Sequence, residues 1–105
     1  MKFKTLFLVA ALFVAANAHA TTYNWVTDTI SEMGIYQGTA CIYLSGGEVV
    51  LVDLSTDAGK AEWSTALSAA AQKKSIKVLQ TDGTLLGGCN TGTNIKPHVA
   101  LFMVN

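Results

Sequence analysis

The sequence has 105 residues, half of them hydrophobic, with seven basic and seven acidic side chains. All the basic residues are lysines, no arginine is present, and only Lys73 and Lys74 are adjacent. Proteins that bind nucleic acid cluster lysine and arginine to neutralise phosphates. This composition therefore argues against a nucleic-acid partner.

The start of the chain has the pattern of a secretory signal peptide. Two lysines precede an apolar run at 6–16, and segment 18–20 reads Ala-His-Ala, a small-x-small cleavage pattern. The apolar run is much shorter than the ~20 residues of a transmembrane helix. Thr21 follows the expected cut, so no cysteine is placed there for lipidation. We expect 1–20 to be removed and 21–105 to form one small domain in a bacterial periplasm or outside the cell.

Two cysteines, Cys41 and Cys89, lie in the expected mature domain. An even number of cysteines in an exported protein is typical of disulfides. Closing a loop of roughly 50 residues would stabilise the domain by about 4 kcal/mol on the chain-entropy account. We therefore predict a Cys41–Cys89 disulfide.

The first half of the mature domain predicts three strands. Segment 23–36 is rich in aromatic and β-branched residues, which favours a long strand. Its large residues change from odd-numbered to even-numbered positions at 28–32, which predicts a bend or bulge there. Two further β-rich runs, 39–45 and 48–54, flank Gly46-Gly47. Two glycines between such runs predict a hairpin with a primed turn, in which both adopt positive φ.

After residue 54 the spacing of the apolar residues changes to that of a helix. Ser55 or Thr56 can cap it, and apolar residues recur at helical spacing within 58–74. The predicted buried stripe consists of Trp63, Ala66, Leu67, Ala70 and Ala71.

The remaining chain predicts two strands around a loop. Alternation over 75–80 indicates a half-buried strand, and the glycine-rich 85–94 indicates a loop fastened by Cys89. The run at 99–104 is apolar on both faces, which is typical of a covered strand. In so small a domain we expect a partner subunit to supply the cover, and hence a homo-oligomer.

The predicted order is β-β-β-α-β-β, a mainly β domain with one helix and one disulfide. A helix between the third and fourth of five strands is the order of an OB-fold barrel. An α+β sheet with one covering helix is the alternative. The sequence does not decide whether the sheet closes into a barrel.

Several short stretches resemble a group of small exported bacterial proteins. They are Val52-Asp53-Leu54-Ser55, Trp63 with Leu67, Ala70-Ala71 and Lys74, Ile76-Lys77-Val78, and Gly88-Cys89. In overall order the chain is similar to the B subunits of AB5 toxins, especially the subtilase-like and pertussis-like kinds. The resemblance implies an OB-type fold, assembly as a ring of five and binding of cell-surface glycans. It supplies no glycan-contact residue that can be matched to this sequence.

Catalytic and cofactor motifs are weak. His98 is the one histidine of the expected mature domain, and nothing in the sequence places a nucleophile beside it. We expect a partly exposed histidine at a strand end. Asp53 and Asp57 are explained by the helix start, no metal-ligand spacing is present, and the Gly-Gly pairs lack the lysine of a phosphate loop. The sequence predicts neither an enzyme nor a bound metal or cofactor.

A binding role rests on aromatic and short polar side chains, which grip sugars by ring stacking and hydrogen bonds. The candidates are Tyr23, Trp25 and Tyr36 in the first strand and Asn90 and Thr91 in the glycine-rich loop. The alternative is that Trp25 is an ordinary residue of the core or sheet face. We predict a glycan-binding homo-oligomer, a pentamer if toxin-like. The second hypothesis is a periplasmic accessory or inhibitor-type protein that binds another protein.

Overall fold

The computed structural model describes residues 21–85, 89 and 95–105. The expected leader, 1–20, lies outside them. The order of elements is the predicted one. The elements are β1 (Tyr23–Tyr36), β2 (Thr39–Leu44), β3 (Val49–Asp53), α1 (Asp57–Ala71), β4 (Ser75–Thr81) and β5 (His98–Met103).

The strands form one sheet in the order β3-β2-β1-β4-β5, and every neighbouring pair is antiparallel. The mainly β class with one helix is confirmed. The described ladder ends at β3 on one side and β5 on the other, so the sheet is open and no barrel closure is seen. The two edge strands are therefore β3 and β5.

Strand β1 joins the two halves of the sheet. Its first half, 23–29, pairs with β4, and its second half, 30–36, pairs with β2. The register with β2 shifts between Ile30 and Glu32, which confirms the predicted irregularity. Next to this bulge the Asp28 carboxylate accepts a hydrogen bond from the Gly46 N–H at 2.6 Å. The turn after β2 is thereby tied to the bend of β1.

The primed turn lies elsewhere than predicted. Gln37 and Gly38 connect paired Tyr36 and Thr39 and both have positive φ, 50° and 81°, which is the type I′ geometry. In the second hairpin only Gly47 of the glycine pair has positive φ, 99°.

A wider turn therefore replaces the predicted one at Gly46-Gly47. The Gly47 N–H donates to the Leu44 carbonyl at 3.0 Å, and the Leu44 N–H donates to the Glu48 carbonyl at 2.8 Å. This is a three-residue turn ending in a glycine bulge. The Asp28 carboxylate explains the difference, because it binds the Gly46 N–H and holds that residue in place.

The main core lies between the sheet and α1. Ten buried residues form it: Ala40, Ile42, Leu44, Val50, Val52, Ala66, Ala69, Ile76, Val78 and Leu101. Trp63 packs against this core as predicted. The buried stripe is nevertheless rotated, because Leu67 and Ala71 are exposed and Ala69 is buried in their place.

Gly59 accounts for the orientation of the helix. It is buried, and a Cβ atom there would overlap the main-chain carbonyl oxygen of Asp53. Thr56 is the N-cap and accepts the Gly59 N–H on its hydroxyl at 2.9 Å. The first turn of α1 thus lies directly against the end of β3, which decides which helix face turns inward.

A second apolar cluster covers the other face of β2 and β3. The predicted Cys41–Cys89 disulfide is confirmed, with 5.6 Å between the Cα atoms. Both cysteines are buried with Val49 and Ile95. The Tyr43 hydroxyl donates to the Cys89 carbonyl at 2.9 Å. The disulfide therefore holds the chain after β4 against the sheet.

Replacing Gly59 with alanine is expected to lower the free energy of unfolding by about 2–3 kcal/mol, because the new methyl group must push the helix off the β3 carbonyl. Urea denaturation of the oxidised protein measures it. Gly34→Ala is the matched control, since a Cβ there meets nothing within 4 Å. Equal effects of the two substitutions would contradict the close packing described.

Candidate functional site

The first half of β1, β4 and β5 present an open face away from α1. In this register Trp25 lies opposite Leu79, and Lys77 lies opposite both Thr27 and Phe102. Residues directly opposite in a sheet share a face, and residues two apart along a strand do so too. Tyr23, Trp25 and Phe102 together with Thr27 and Lys77 are called the aromatic surface.

The three rings of the aromatic surface are exposed to an extent that a core role does not explain. Tyr23 is 59% exposed, Trp25 46% and Phe102 54%. The Trp25 and Phe102 ring centroids lie 6.1 Å apart with the planes tilted by 38°. This separation is within the range of interacting aromatic pairs. The two rings thus form one continuous aromatic patch across three strands.

Lys77 gives the aromatic surface a positive charge. Its Nζ atom lies 4.6 Å from the centroid of the Trp25 ring, a cation–π contact. Within the described residues no carboxylate forms a salt bridge with this lysine. The surface therefore combines ring faces with one ammonium group and the hydroxyls of Thr27 and Tyr23.

The structure brings together only part of the predicted ligand-binding set. Tyr23 and Trp25 share the aromatic surface. Tyr36 is also exposed but lies at the opposite end of β1, eleven residues and about 36 Å of extended chain from Trp25. Asn90 and Thr91 lie outside the described residues.

Phe102 and Lys77 were missed by the sequence reasoning. The run at 99–104 predicted a strand covered on both faces, but β5 is an edge strand on which Val99 and Phe102 are exposed. The alternation of Lys77 with Ile76 and Val78 did place Lys77 on a solvent face. Its position beside Trp25 depends on the β1–β4 register, which no local pattern encodes.

A groove of about 410 Å³ lies between β3, the start of α1 and the start of β5. Its lining residues are Leu51, Asp53, Thr56, Ala58, Gly59, Glu62, Leu85, Pro97 and His98. At the groove, His98 Nε2 lies 2.8 Å from Glu62 Oε2.

His98 is the first residue of β5 and is intermediate in burial, in keeping with the partly exposed strand-end residue that the sequence predicted. Its imidazole is nevertheless only 8% exposed. The register explains this, because His98 lies opposite Gln80, whose side chain is buried on the core face.

Asp53, the last residue of β3, lies at the rim of the groove. Its Oδ1 accepts hydrogen bonds from the Ser55 hydroxyl at 2.6 Å and the Ser55 N–H at 2.9 Å. These two bonds favour the charged form and lower the pKa of the Asp53 carboxyl below its ordinary value of 3.8. The groove rim therefore keeps this negative charge in mildly acidic solution.

The described residues contain no group of three or more His, Cys, Asp or Glu side chains placed to hold a metal ion. No helix in this part of the chain is long and apolar enough to cross a membrane. The disulfide indicates an oxidising environment outside the cytoplasm.

Comparisons with family models, with curated proteins and with solved structures found no match to this chain. The resemblance to AB5 toxin B subunits therefore stays a prediction.

The Asp53 geometry predicts a pH effect of definite sign. The folded state favours the carboxylate, so this group stabilises the fold at pH values above its ordinary pKa. That contribution is lost as the pH falls through the lowered pKa of the folded protein. An NMR titration of the side-chain carboxyl carbon measures the pKa directly.

In the same titration, Ser55→Ala is expected to raise the Asp53 pKa toward 3.8, because both the hydroxyl and its constraint on the turn are lost. Ser64→Ala, an exposed serine on α1, is the matched control and leaves the Asp53 pKa unchanged. An unaltered pKa in Ser55→Ala would contradict the assigned cause.

Proposed function

We propose that this protein is an exported, non-catalytic binding module that recognises a carbohydrate on the aromatic surface. The observation that carries the proposal is the half-exposed Trp25, next to Phe102 and on the same sheet face as Tyr23. Sugar rings expose C–H patches that stack on aromatic faces. A large aromatic patch left open to water on a sheet face is suited to that contact.

Polar groups around the rings complete the proposed site. The side chains of Thr27, Tyr23 and Lys77 make no hydrogen bond in the described part of the protein, although their main chains pair within the sheet. Their hydroxyl and ammonium groups are therefore available to sugar hydroxyls, which need hydrogen-bond partners when they leave water. Stacking on the rings would supply affinity, and the hydroxyl and ammonium groups would orient the sugar.

Export and an OB-like architecture belong to the same proposal. The leader pattern of 1–20 and the disulfide support export. An OB-like domain is supported by two features. The bulged first strand is shared by both halves of the sheet, and the helix lies between the third and fourth strands. This layout is also the basis of the likeness to toxin B subunits.

Self-association is proposed through β5. This edge strand carries exposed Val99, at 62%, and Phe102, and an edge with exposed apolar side chains favours pairing with another chain. A ring of five is the toxin-like version of this assembly.

Trp25→Ala is expected to weaken glycan binding at least about fivefold, since stacking on one aromatic ring contributes about 1 kcal/mol. A glycan array on the disulfide-bonded protein identifies the ligand, and calorimetry measures the affinity. Tyr36→Ala is the matched control, an equally exposed ring on the same strand but far from Trp25.

Two outcomes would count against the carbohydrate site. One is an array on which no glycan binds above background. The other is equal loss of binding in Trp25→Ala and Tyr36→Ala, which would place the site elsewhere or reflect a general loss of structure.

A protein ligand is the second candidate function, and the exposed Val99 and Phe102 on an open strand edge favour it. An accessory or inhibitor-type protein would use that edge to pair with a strand of its partner. Specific capture of one periplasmic protein, lost in a Val99→Lys variant, would favour this candidate over the carbohydrate.

Val99→Lys is also expected to convert an oligomer to a monomer, because a charged side chain on an edge strand opposes pairing. Light scattering at micromolar concentration measures the mass of both proteins. Thr84→Lys, an exposed substitution outside the strands, is the control for added charge. A wild-type monomer would contradict self-association through β5.

A further inference from the structure

The groove beside β3 has features that the aromatic surface does not use. Leu51 and Asp53 line it from β3, Glu62 and Ala58 from α1, and His98 from β5. Its volume of about 410 Å³ is in the range of small ligand pockets. The groove lies along an edge of the sheet, so any occupant would meet both side chains and main-chain polar groups.

The main-chain N–H and C=O groups of Leu51 lie on the edge of β3 that faces away from β2. The Leu44 N–H donates to the Glu48 carbonyl, so 44 and 48 form a hydrogen-bonded antiparallel pair. Such pairs alternate with non-hydrogen-bonded pairs. The Cys41–Leu51 pair is therefore non-hydrogen-bonded, and the N–H and C=O of Leu51 face away from β2.

The same alternation directs the Asp53 backbone outward, but there the carbonyl already accepts from Thr56 N–H at 3.4 Å and Thr56 hydroxyl at 3.1 Å. Leu51 makes no such bond among the described residues. An unpaired donor and acceptor in one residue are the groups to which an added strand bonds.

The charge of the groove selects the kind of partner. Its lining includes two carboxylates, Asp53 and Glu62, and no lysine. Glu62 uses Oε2 toward His98, while its other oxygen has no hydrogen bond within the described residues. Behind His98, the buried Gln80 donates to Glu48, and its Oε1 has no partner among the described residues. The carboxylates of Asp53 and Glu62 are the acceptors that line the groove, which favours a partner that donates hydrogen bonds and carries positive charge.

We propose that the groove binds an extended peptide segment of another protein. The segment adds to β3 through the Leu51 main chain and places a lysine or arginine side chain beside Glu62. Leu51, Leu85 and Pro97 contact the apolar side chains of the segment. This mode combines main-chain hydrogen bonds for affinity with side-chain pockets for specificity.

This site shares no residue with the aromatic surface, so the two proposals succeed or fail separately. A protein that binds glycans but no peptide retains the carbohydrate proposal, and a protein that binds the peptide alone retains this one.

The test uses the disulfide-bonded protein and a fluorescein-labelled peptide of eight alternating lysine and valine residues. Fluorescence anisotropy at low salt measures its affinity, and amide NMR spectra report where it binds. We expect saturable binding and a shift of the Leu51 amide signal. The matched peptide N-methylated at every residue keeps the charge but lacks the main-chain donors, and we expect it to bind at least about tenfold more weakly.

Glu62→Gln keeps the shape of the side chain and a hydrogen-bonding group but removes the charge. It is expected to weaken binding of the lysine–valine peptide about five- to tenfold. Asp53→Asn serves as a second variant on the other side of the groove. Glu32→Gln removes the same charge from an exposed position on β1 and is expected to alter the affinity less than about twofold.

Three results would each overturn the proposal. Equal binding of the N-methylated peptide would indicate attraction of cations without strand addition. Equal weakening by Glu62→Gln and Glu32→Gln would indicate attraction by the net charge of the protein. Absence of saturable binding at peptide concentrations up to about 1 mM would show that the groove is not a peptide site. A Kd of 1 mM corresponds to a binding free energy of only about −4 kcal/mol.

Discussion

The fold depends on the pairing of one strand with two neighbours. β1 pairs with β4 through its first half and with β2 through its second half, and the bulge between Ile30 and Glu32 separates the two. A bulge increases local twist and bends the strand. The Asp28 carboxylate binds the Gly46 N–H beside it, so the hairpin of β2 and β3 is held at a fixed position relative to the bend.

Two close contacts then fix what covers the sheet. Gly59 lets the first turn of α1 lie against the Asp53 carbonyl, and the Cys41–Cys89 disulfide holds the later chain on the opposite face of β2. A domain of this size buries a limited core. A close helix–strand contact that favours glycine and a covalent link both add specificity to a small apolar core.

The same arrangement separates two surfaces of different chemistry. β5 is at one edge of the sheet and contributes Phe102 to the aromatic surface, while its first residue, His98, turns inward to Glu62 at the groove. The register irregularity between Leu79 and Gln80 lies between these two regions. One short strand thus contributes an aromatic ring to one face and a buried imidazole to the other. The aromatic patch lies on one face of the sheet and the acidic groove lies between β3, α1 and β5, so the two suit different ligands.

Local patterns in the sequence determined the number, type and order of the elements, the bulge in β1 and the pairing of the two cysteines, and they narrowed the helix cap to Ser55 or Thr56. Each depends on residues close in the chain, or on there being only one possible disulfide. The tertiary structure decided the rest. The open sheet, the rotation of α1 by the Gly59 contact, the burial of the His98 imidazole and the meeting of Trp25 with Lys77 and Phe102 all depend on strand register and helix contact. Register joins residues far apart in sequence, and a shift of one residue would move every side chain of a strand to the other face. The sequence therefore predicted aromatic binding residues in β1 but not their neighbours, and nothing in it indicated that Asp53, Glu62 and His98 line one groove.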